Sequence, residues 1–183
     1  MDERERLRSL IVRHAIRRGT FTLASGRTSD WYLDCRKVTL HPEGAWLIGR
    51  LMLATIREKG WLAEAIGGLT LGADPIAGAV AAVSHAEGTP IGGFLVRKAA
   101  KEHGTRQRIE GTPVEGKSVV VVDDVVTTGG STLEAIAAVR EAGGRVAGII
   151  VVVDRDEGGS EGLREYPYAP LFRRGDLLDQ GAP

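Results

Sequence analysis

Residues 118–132 read SVVVVDDVVTTGGST, and this stretch decides the fold class. The valines at residues 119–122 make a strand that is apolar on both faces, which is typical of a parallel sheet covered by helices on each side. Glycines then interrupt the strand pattern, and Leu133, Ile136 and Val139 follow at helical spacing. A buried strand, a glycine turn and an amphipathic helix in this order predict one unit of an α/β fold.

The same alternation continues on both sides of this unit. Strand-like and helix-like stretches take turns along the chain, with strands at residues 65–69, 91–96 and 145–153 and helices at residues 42–60, 75–85 and 131–142. We therefore predict an α/β fold with a central parallel sheet flanked by helices.

The N-terminal residues follow a different pattern. Residues 3–18 carry apolar side chains at near-helical spacing and are predicted to form an amphipathic helix. Short alternating stretches within residues 20–40 flank Ser25 and Gly26, which indicates a small hairpin at the edge of the fold. We call residues 1–40 the hood.

Length and composition indicate one globular domain spanning residues 1–183. Hydrophobic residues make up 43% of the chain and charged residues 26%, which is ordinary for a folded protein. Lysine and arginine number 24, as do aspartate and glutamate, so no global charge attracts nucleic acid or an anionic membrane.

Compartment is indicated by cysteine content and by the lengths of the apolar runs. Cys35 is the only cysteine, which excludes an intrachain disulfide and suits a reducing compartment. The apolar runs are too short to cross a bilayer. We expect a cytoplasmic protein without a membrane or nucleic-acid partner.

The segment after the valines carries groups that suit a phosphorylated ribose. Asp123 and Asp124 place two carboxylates at the carboxyl end of the strand, where ligands bind in open α/β sheets. Carboxylates accept hydrogen bonds from vicinal ribose hydroxyls. The glycines and the start of the next helix offer free N–H groups to a phosphate. The residues expected to form this ribose 5-phosphate site are Asp123, Asp124, Val125, Val126, Thr127, Thr128, Gly129, Gly130 and Ser131.

Two other interpretations of this region are open. Ser131 or Thr132 could cap the helix without binding a ligand, although a cap needs neither paired acids nor paired glycines. Residues 111–118 (GTPVEGKS) also match the GxxxxGK[ST] spacing of a nucleoside-triphosphate loop. Such a loop follows a strand and opens a helix, whereas here it precedes the valine strand, which disfavours an NTPase.

A basic cluster follows the strand predicted at residues 91–96. Arg97, Lys98, Lys101 and His103 stand close together in the sequence RKAAKEHG. Such cations could neutralise a diphosphate as negative charge builds on it, and the long polar stretch at residues 99–117 could act as a lid. The alternative is a solvated loop of mixed charge, because charge runs usually face solvent.

These motifs carry a family resemblance. The run VVVVDDVVTTGGST resembles the phosphoribosyl-diphosphate signature of type I phosphoribosyltransferases. The pattern RKxxKxHG resembles the catalytic loop of the orotate phosphoribosyltransferases, and Val153-Asp154-Arg155 resembles the strand end whose arginine contacts orotate in that family. The remaining stretches that resemble the same family are residues 21–26, 32–34 and 36–37 of the hood and residues 67–68 and 72–75, a loop that meets the diphosphate.

One position departs from the family pattern. Ala24 stands where many members carry a hood lysine that is associated with the active site. The resemblance therefore leaves open whether the hood contacts the ligands directly through Lys37 or Arg27 instead.

The resemblance implies a reaction, a cofactor and an assembly. Ribose 5-phosphate would pass from phosphoribosyl diphosphate to orotate, giving orotidine 5′-monophosphate in pyrimidine biosynthesis. Mg²⁺ would be held mainly by the substrate, with no direct protein ligand assigned. A homodimer is expected, in which some loop cations serve the site of the neighbouring subunit.

The same resemblance assigns roles to individual residues. Lys101, His103, Asp123 and Asp124 are expected to take part in catalysis. Arg97 and Lys98 would join Lys101 and His103 at the diphosphate, and Thr127 and Arg155 would meet orotate.

The base specificity depends most on Arg155. A guanidinium pairs with a carboxylate through two parallel hydrogen bonds, and orotate carries a carboxylate that neutral bases lack. The alternative for Arg155 is a surface ion pair with Asp154, Asp156 or Glu157. For the whole protein, the alternatives are a transferase for another base or a non-catalytic sensor of phosphoribosyl diphosphate.

Overall fold

The structure is a computed structural model that describes residues 1–22, 28–98 and 108–178. Helix α1 (Glu3–Leu10) begins at Asp2, whose carboxylate accepts a hydrogen bond from the Glu5 N–H at 2.7 Å. One π-helical turn, Ile11–Ala15, continues it. The helix predicted over residues 3–18 ends there, because the chain from Ile16 onward pairs with the next strand instead.

The hairpin predicted for the hood is present. Strands β1 (Ile16–Thr22) and β2 (Thr28–Leu33) form an antiparallel pair that is separate from the main sheet. Trp31 and Leu33 alternate with exposed neighbours and are buried in the core, so one face of β2 holds the hood onto the body of the protein. Two helices follow, α2 (Arg36–Thr39) and α3 (Pro42–Glu58).

The other six strands form the main sheet. They are β3 (Ala65–Leu69), β4 (Gly92–Val96), β5 (Ile109–Gly111), β6 (Ser118–Val126), β7 (Arg145–Asp154) and β8 (Tyr168–Arg173). Their spatial order is β5-β4-β3-β6-β7-β8. Among the described strands of this sheet, β5 alone runs antiparallel to its neighbour. The predicted central parallel sheet is confirmed, with one antiparallel strand at its edge.

Helices cover both faces of this sheet, as the apolar strands predict. Val120 and Val122 of β6 pack into the same core as α1, α3 and α4 (Asp74–Ala86). Val119 and Val121 point the other way, into the core that contains α5 (Gly130–Glu141). This division follows from the alternation of side chains along a strand. A last helix, α6 (Arg174–Leu178), follows β8.

The main sheet differs from the prediction in the end of β6 and in two strands, β5 and β8, that were not predicted. Strand β6 continues to Val126, because Asp123 and Val125 pair with Val151 and Val153 of β7. The acid pair therefore lies within the strand and not after it. Strand β8 was not predicted; it contains Pro170, which lacks an N–H and is tolerated at the sheet edge that β8 occupies.

The nucleoside-triphosphate interpretation of residues 111–118 does not fit this topology. The segment runs from the end of β5 directly into β6, with no helix at its carboxyl end. A phosphate loop of that type requires a helix N-terminus at this point. Among the described helices, none is long and apolar enough to cross a membrane.

Candidate active site

The candidate site lies where the direction of chain winding changes. Strands β3 and β6 are parallel neighbours, but the helices that follow them pack on opposite faces of the sheet. Ile76 and Val80 of α4 belong to one core, and Ile136 and Val139 of α5 belong to the other. This arrangement opens a crevice at the carboxyl ends of the two strands, the usual ligand position in such folds.

Asp123 and Asp124 lie at this crevice with different exposure. Asp123 is buried, and its carboxylate accepts hydrogen bonds from the Asp124 N–H at 3.0 Å and from the Thr132 hydroxyl at 3.2 Å. Burial, with the nearby negative charge of Asp124, raises the pKa of Asp123 from 3.8 to about 7. Asp124 is half-buried and accepts the Val125 N–H at 3.0 Å.

The loop from β3 to α4 closes one side of the crevice. Gly72 lies so near the acid pair that a Cβ atom there would be 2.6 Å from Oδ1 of Asp124 and 2.9 Å from Oδ1 of Asp123. The hood approaches from another side through Cys35, which is buried. Burial and the charge of Asp124 raise the pKa of the Cys35 thiol well above its ordinary value. Cys35 is thus a packed thiol, because the thiolate is disfavoured.

The loop of residues 127–131, called the phosphate loop, leads from the end of β6 into the first residues of α5. Gly129 has φ of +77°, a left-handed conformation that favours glycine, and it precedes the first turn of α5. Thr128, Gly130 and Ser131 are exposed, and the N–H groups of a first helical turn have no acceptor within the helix. The loop therefore presents donors and the positive end of a helix dipole to an anion beside the acid pair.

Arg155 lies next to this loop but is not on the surface. Its backbone N–H donates to the Val126 carbonyl at 3.0 Å, and its side chain is only 5% exposed. Its Nε donates to Glu157 at 2.7 Å. Arg155 does form the ion pair with Glu157 that was considered as an alternative. The pair does not lie on the surface, however, because Ser29 and Trp31 of the hood cover the guanidinium.

The basic cluster is described only at its start. Arg97 and Lys98 are exposed and follow β4, whose last residue, Val96, accepts a hydrogen bond from the Thr70 N–H at 2.9 Å. The backbone of Arg97 and Lys98 therefore lies beside the loop between β3 and α4. Arg97 also lies 3.5 Å from a Glu110 carboxylate oxygen. The other predicted residues of the cluster, Lys101 and His103, lie outside the described residues, as do Ala24 and Arg27.

A resident metal site built from protein side chains is not found in the described ranges. There, no group of three or more His, Cys, Asp or Glu side chains could hold an ion. Asp123 and Asp124 supply only carboxylate oxygens, which suit Mg²⁺ when substrate oxygens and water complete its shell.

Comparison with known proteins assigns the family. Residues 37–167 match the phosphoribosyl transferase domain. The orotate phosphoribosyltransferase of Mycobacterium avium is 46% identical over 96% of each chain. The chain belongs to the orotate phosphoribosyltransferase family. A crystal structure of the Mycobacterium tuberculosis H37Rv orotate phosphoribosyltransferase, in complex with Fe(III) dicitrate, superposes with a TM-score of 0.86 at 44% identity, covering 97% of this chain and 99% of that one.

A second structure of that mycobacterial enzyme bears on the site. It was solved in complex with 5-phospho-α-D-ribosyl 1-diphosphate and matches with a TM-score of 0.81 at 41% identity, covering 96% of this chain and 99% of that one. The family model also spans both the acid pair and the phosphate loop. The family and the fold implied by the sequence motifs are therefore confirmed.

Two residues around the site of this orotate phosphoribosyltransferase family member were not found from the sequence. Gly159 packs against the phosphate loop, and Trp31 contacts Arg155. Glu157, named from the sequence as one possible partner of Arg155, does contact it. The paired glycines at residues 158–159 resemble a turn signal, which would have drawn attention to Gly159. No local pattern marks Trp31, because its contact with Arg155 joins distant parts of the chain.

Proposed function

We propose that the protein transfers ribose 5-phosphate from phosphoribosyl diphosphate to N1 of orotate, releasing diphosphate. The observation that carries this proposal is the hydrogen bond between the Arg155 N–H and the Val126 carbonyl. This hydrogen bond keeps Arg155, whose guanidinium can pair with a carboxylate, next to the end of β6, where Asp123, Asp124 and the phosphate loop lie. Few other bases present a carboxylate to such an arginine.

The reaction breaks the bond between C1 of the ribose and the diphosphate oxygen and forms a bond between C1 and N1 of orotate. Positive charge develops on the ribose and negative charge on the diphosphate. The phosphate loop, residues 127–131, binds the 5-phosphate, and the carboxylates of Asp123 and Asp124 accept hydrogen bonds from the ribose hydroxyls. These contacts hold C1 in place for attack, so catalysis comes from positioning and from electrostatic stabilisation.

Mg²⁺ is proposed as the cofactor. Held beside the acid pair together with the substrate, it would neutralise negative charge on the diphosphate leaving group. Asp124, the more exposed acid, is the side chain best placed to orient the waters of such an ion. Arg97, Lys98, Lys101 and His103 are proposed to add positive charge at the diphosphate, and Thr127 is proposed to contact orotate.

We also propose that the protein is a homodimer in which loop cations of one subunit serve the active site of the other. The proposed compartment is the cytoplasm. The test is complementation between two variants that each impair the site, Lys101→Ala and Asp124→Asn. If Lys101 serves the site of the neighbouring subunit, mixing the variants restores about a quarter of the activity, because random pairing yields hybrid dimers with one intact site. If mixing restores nothing, each subunit works with its own loop.

A panel of bases tests the reaction itself. Orotate, uracil, hypoxanthine and adenine are offered separately with phosphoribosyl diphosphate and Mg²⁺, and diphosphate release is measured. The proposal expects release with orotate only. Release with a purine would make the protein a transferase for another base. Release with none, together with tight binding of phosphoribosyl diphosphate, would make it a sensor.

A further inference from the structure

The guanidinium of Arg155 is held from three directions. Glu157 accepts its Nε–H at 2.7 Å, and Ser29 accepts an Nη2–H at a long 3.4 Å. The ring of Trp31 lies with its centroid 4.2 Å from the Arg155 Cζ. A buried arginine needs such partners, because an unpaired cation in a low-dielectric site is costly.

Glu157 determines which edge of the guanidinium a ligand can use. A guanidinium offers one fork made by Nε with Nη2 and another made by Nη1 with Nη2. Glu157 occupies Nε, so the first fork cannot bind a second carboxylate through both nitrogens. Among the described residues no acceptor bonds Nη1. Nη2 carries two hydrogens, so it keeps one N–H for a ligand beside its long 3.4 Å contact with Ser29. The Nη1–Nη2 fork is therefore the one left for a bidentate ligand.

Trp31 restricts the orientation of the Arg155 guanidinium plane. Its indole is buried, and it packs in the core on the hood side. A cation over an aromatic face is attracted to the ring, and the contact also blocks rotation of the guanidinium out of its plane. Ser29 and Trp31 both belong to β2, whereas Arg155 directly follows β7. The hood therefore touches the proposed orotate arginine of the main sheet.

We propose that Glu157 and Trp31 are positioning residues that orient Arg155 so that its Nη1–Nη2 fork receives the orotate carboxylate. This inference rests on the proposed function and deepens it. It also gives the hood a role that does not require the lysine missing at Ala24. Binding through a pre-oriented arginine avoids the entropy of ordering a long side chain at each turnover.

Steady-state kinetics of Glu157 variants test the proposal. Glu157→Ala is expected to raise KM for orotate at least about tenfold while KM for phosphoribosyl diphosphate stays within about twofold. Glu157→Gln keeps an acceptor for Nε and is expected to stay within about threefold of the parent. The matched control is Glu161→Ala, since Glu161 pairs with an exposed Arg164 at 3.2 Å and has no contact with Arg155; it should change neither KM.

A double-mutant cycle shows whether Glu157 acts through Arg155. In an Arg155→Ala background, Glu157→Ala is expected to cause no further rise in KM for orotate. Trp31→Phe should retain most orotate affinity and Trp31→Leu should lose it, and the Glu157 variants decide the matter if Trp31→Leu does not fold. Equal increases in both KM values, or additive effects of the Arg155 and Glu157 substitutions, would overturn the proposal.

Failure of the inference can be told apart from failure of the proposed function. If the parent enzyme releases diphosphate with orotate and Arg155→Ala raises its KM, the function stands whatever Glu157 does. If the parent releases none, the function itself is wrong.

Discussion

Gly159 lies against the backbone of Thr127, so close that a Cβ atom on Gly159 would overlap the Thr127 carbonyl oxygen and lie 2.8 Å from the Gly129 nitrogen. Gly159 begins a short 3₁₀ helix, Gly159–Leu163, whose last residue is fully buried under the phosphate loop. Backbone can approach backbone this closely only where no side chain intervenes. The segment that follows Arg155 thus supports the loop that is proposed to bind the 5-phosphate.

Gly159→Ala is therefore expected to damage phosphate binding. Displacement of the loop should raise KM for phosphoribosyl diphosphate by about tenfold or more, with a smaller change for orotate, as steady-state kinetics will show. Gly162→Ala is the control, because a Cβ there would meet only the Leu133 Cδ1, at an ordinary 3.6 Å. If Gly159→Ala and Gly162→Ala show the same KM for phosphoribosyl diphosphate, the close packing of Gly159 on Thr127 does not affect substrate binding.

Gly72→Ala should disturb the acid pair from the opposite side. The new methyl group would crowd Oδ1 of Asp124 at 2.6 Å, so we expect kcat/KM for phosphoribosyl diphosphate to fall by about tenfold or more. Gly78→Ala is the matched substitution in α4, where a Cβ meets nothing within 4 Å. It should leave kinetics unchanged and stabilise the protein by up to about 1 kcal/mol in urea unfolding, because alanine favours helix.

The raised pKa of Asp123 predicts a pH-dependent cost in stability. Its folded pKa of about 7 exceeds its ordinary 3.8, so the folded state holds the proton more tightly than the unfolded state. Protonated Asp123 contributes fully to the free energy of unfolding below about pH 4, and this contribution is lost as pH rises through about 7. Asp123→Asn, measured by urea unfolding without ligands, should gain free energy of unfolding relative to the parent as pH rises across this window. Parallel pH curves for the two proteins would contradict the assignment.

Tyr168 should stabilise the turn that presents Arg155. Its hydroxyl donates at 3.0 Å to Asp154, which is fully buried and also accepts the Asp156 N–H at 2.9 Å. Burial and the charge of Asp154 raise the pKa of Tyr168, so its hydroxyl keeps its proton. Tyr168→Phe should lower the free energy of unfolding by about 1–3 kcal/mol.

A second tyrosine provides the control for this stability measurement. The ring of Tyr166 lies 5.1 Å from the guanidinium of Arg140. The Asp154 carboxylate accepts its hydrogen bonds from Tyr168, Arg173 and the Asp156 N–H, and not from Tyr166. Tyr166→Phe retains the ring and should change stability by less than about 0.5 kcal/mol. Equal losses in the two variants would show that Asp154 does not depend on the Tyr168 hydroxyl.

Lys101→Ala tests the leaving-group role that the sequence assigns to the basic cluster. Loss of a cation that is proposed to neutralise the departing diphosphate should lower kcat by more than about tenfold, or about 1.4 kcal/mol. Lys117→Ala is the control, because Lys117 immediately precedes β6 and lies at the opposite end of that strand from the phosphate loop. An equal or larger loss of kcat in Lys117→Ala would contradict the leaving-group role of Lys101.

The parts predicted well are those that depend on local pattern. The valines of β6, the glycine turn and the apolar positions of α5 each follow from neighbours within a few residues, and the structure has all three. The end of β6 was misplaced because charged residues usually end a strand, and here pairing with β7 continues it through Asp123. The first helix was overextended for the same kind of reason, since the pairing of Ile16 with Leu33 outweighs helical periodicity.

The sequence by itself determined the class of sheet, the phosphate loop and its acids, and the family, because these depend on short-range periodicity and compact motifs. The tertiary structure decided how the site is held together. Ser29 and Arg155 are 126 residues apart and become neighbours only when the hood folds onto the sheet. The burial that raises the pKa of Asp123 and the packing of Gly159 on Thr127 also arise from surfaces that meet only in the folded protein. Such contacts leave no mark on the local sequence.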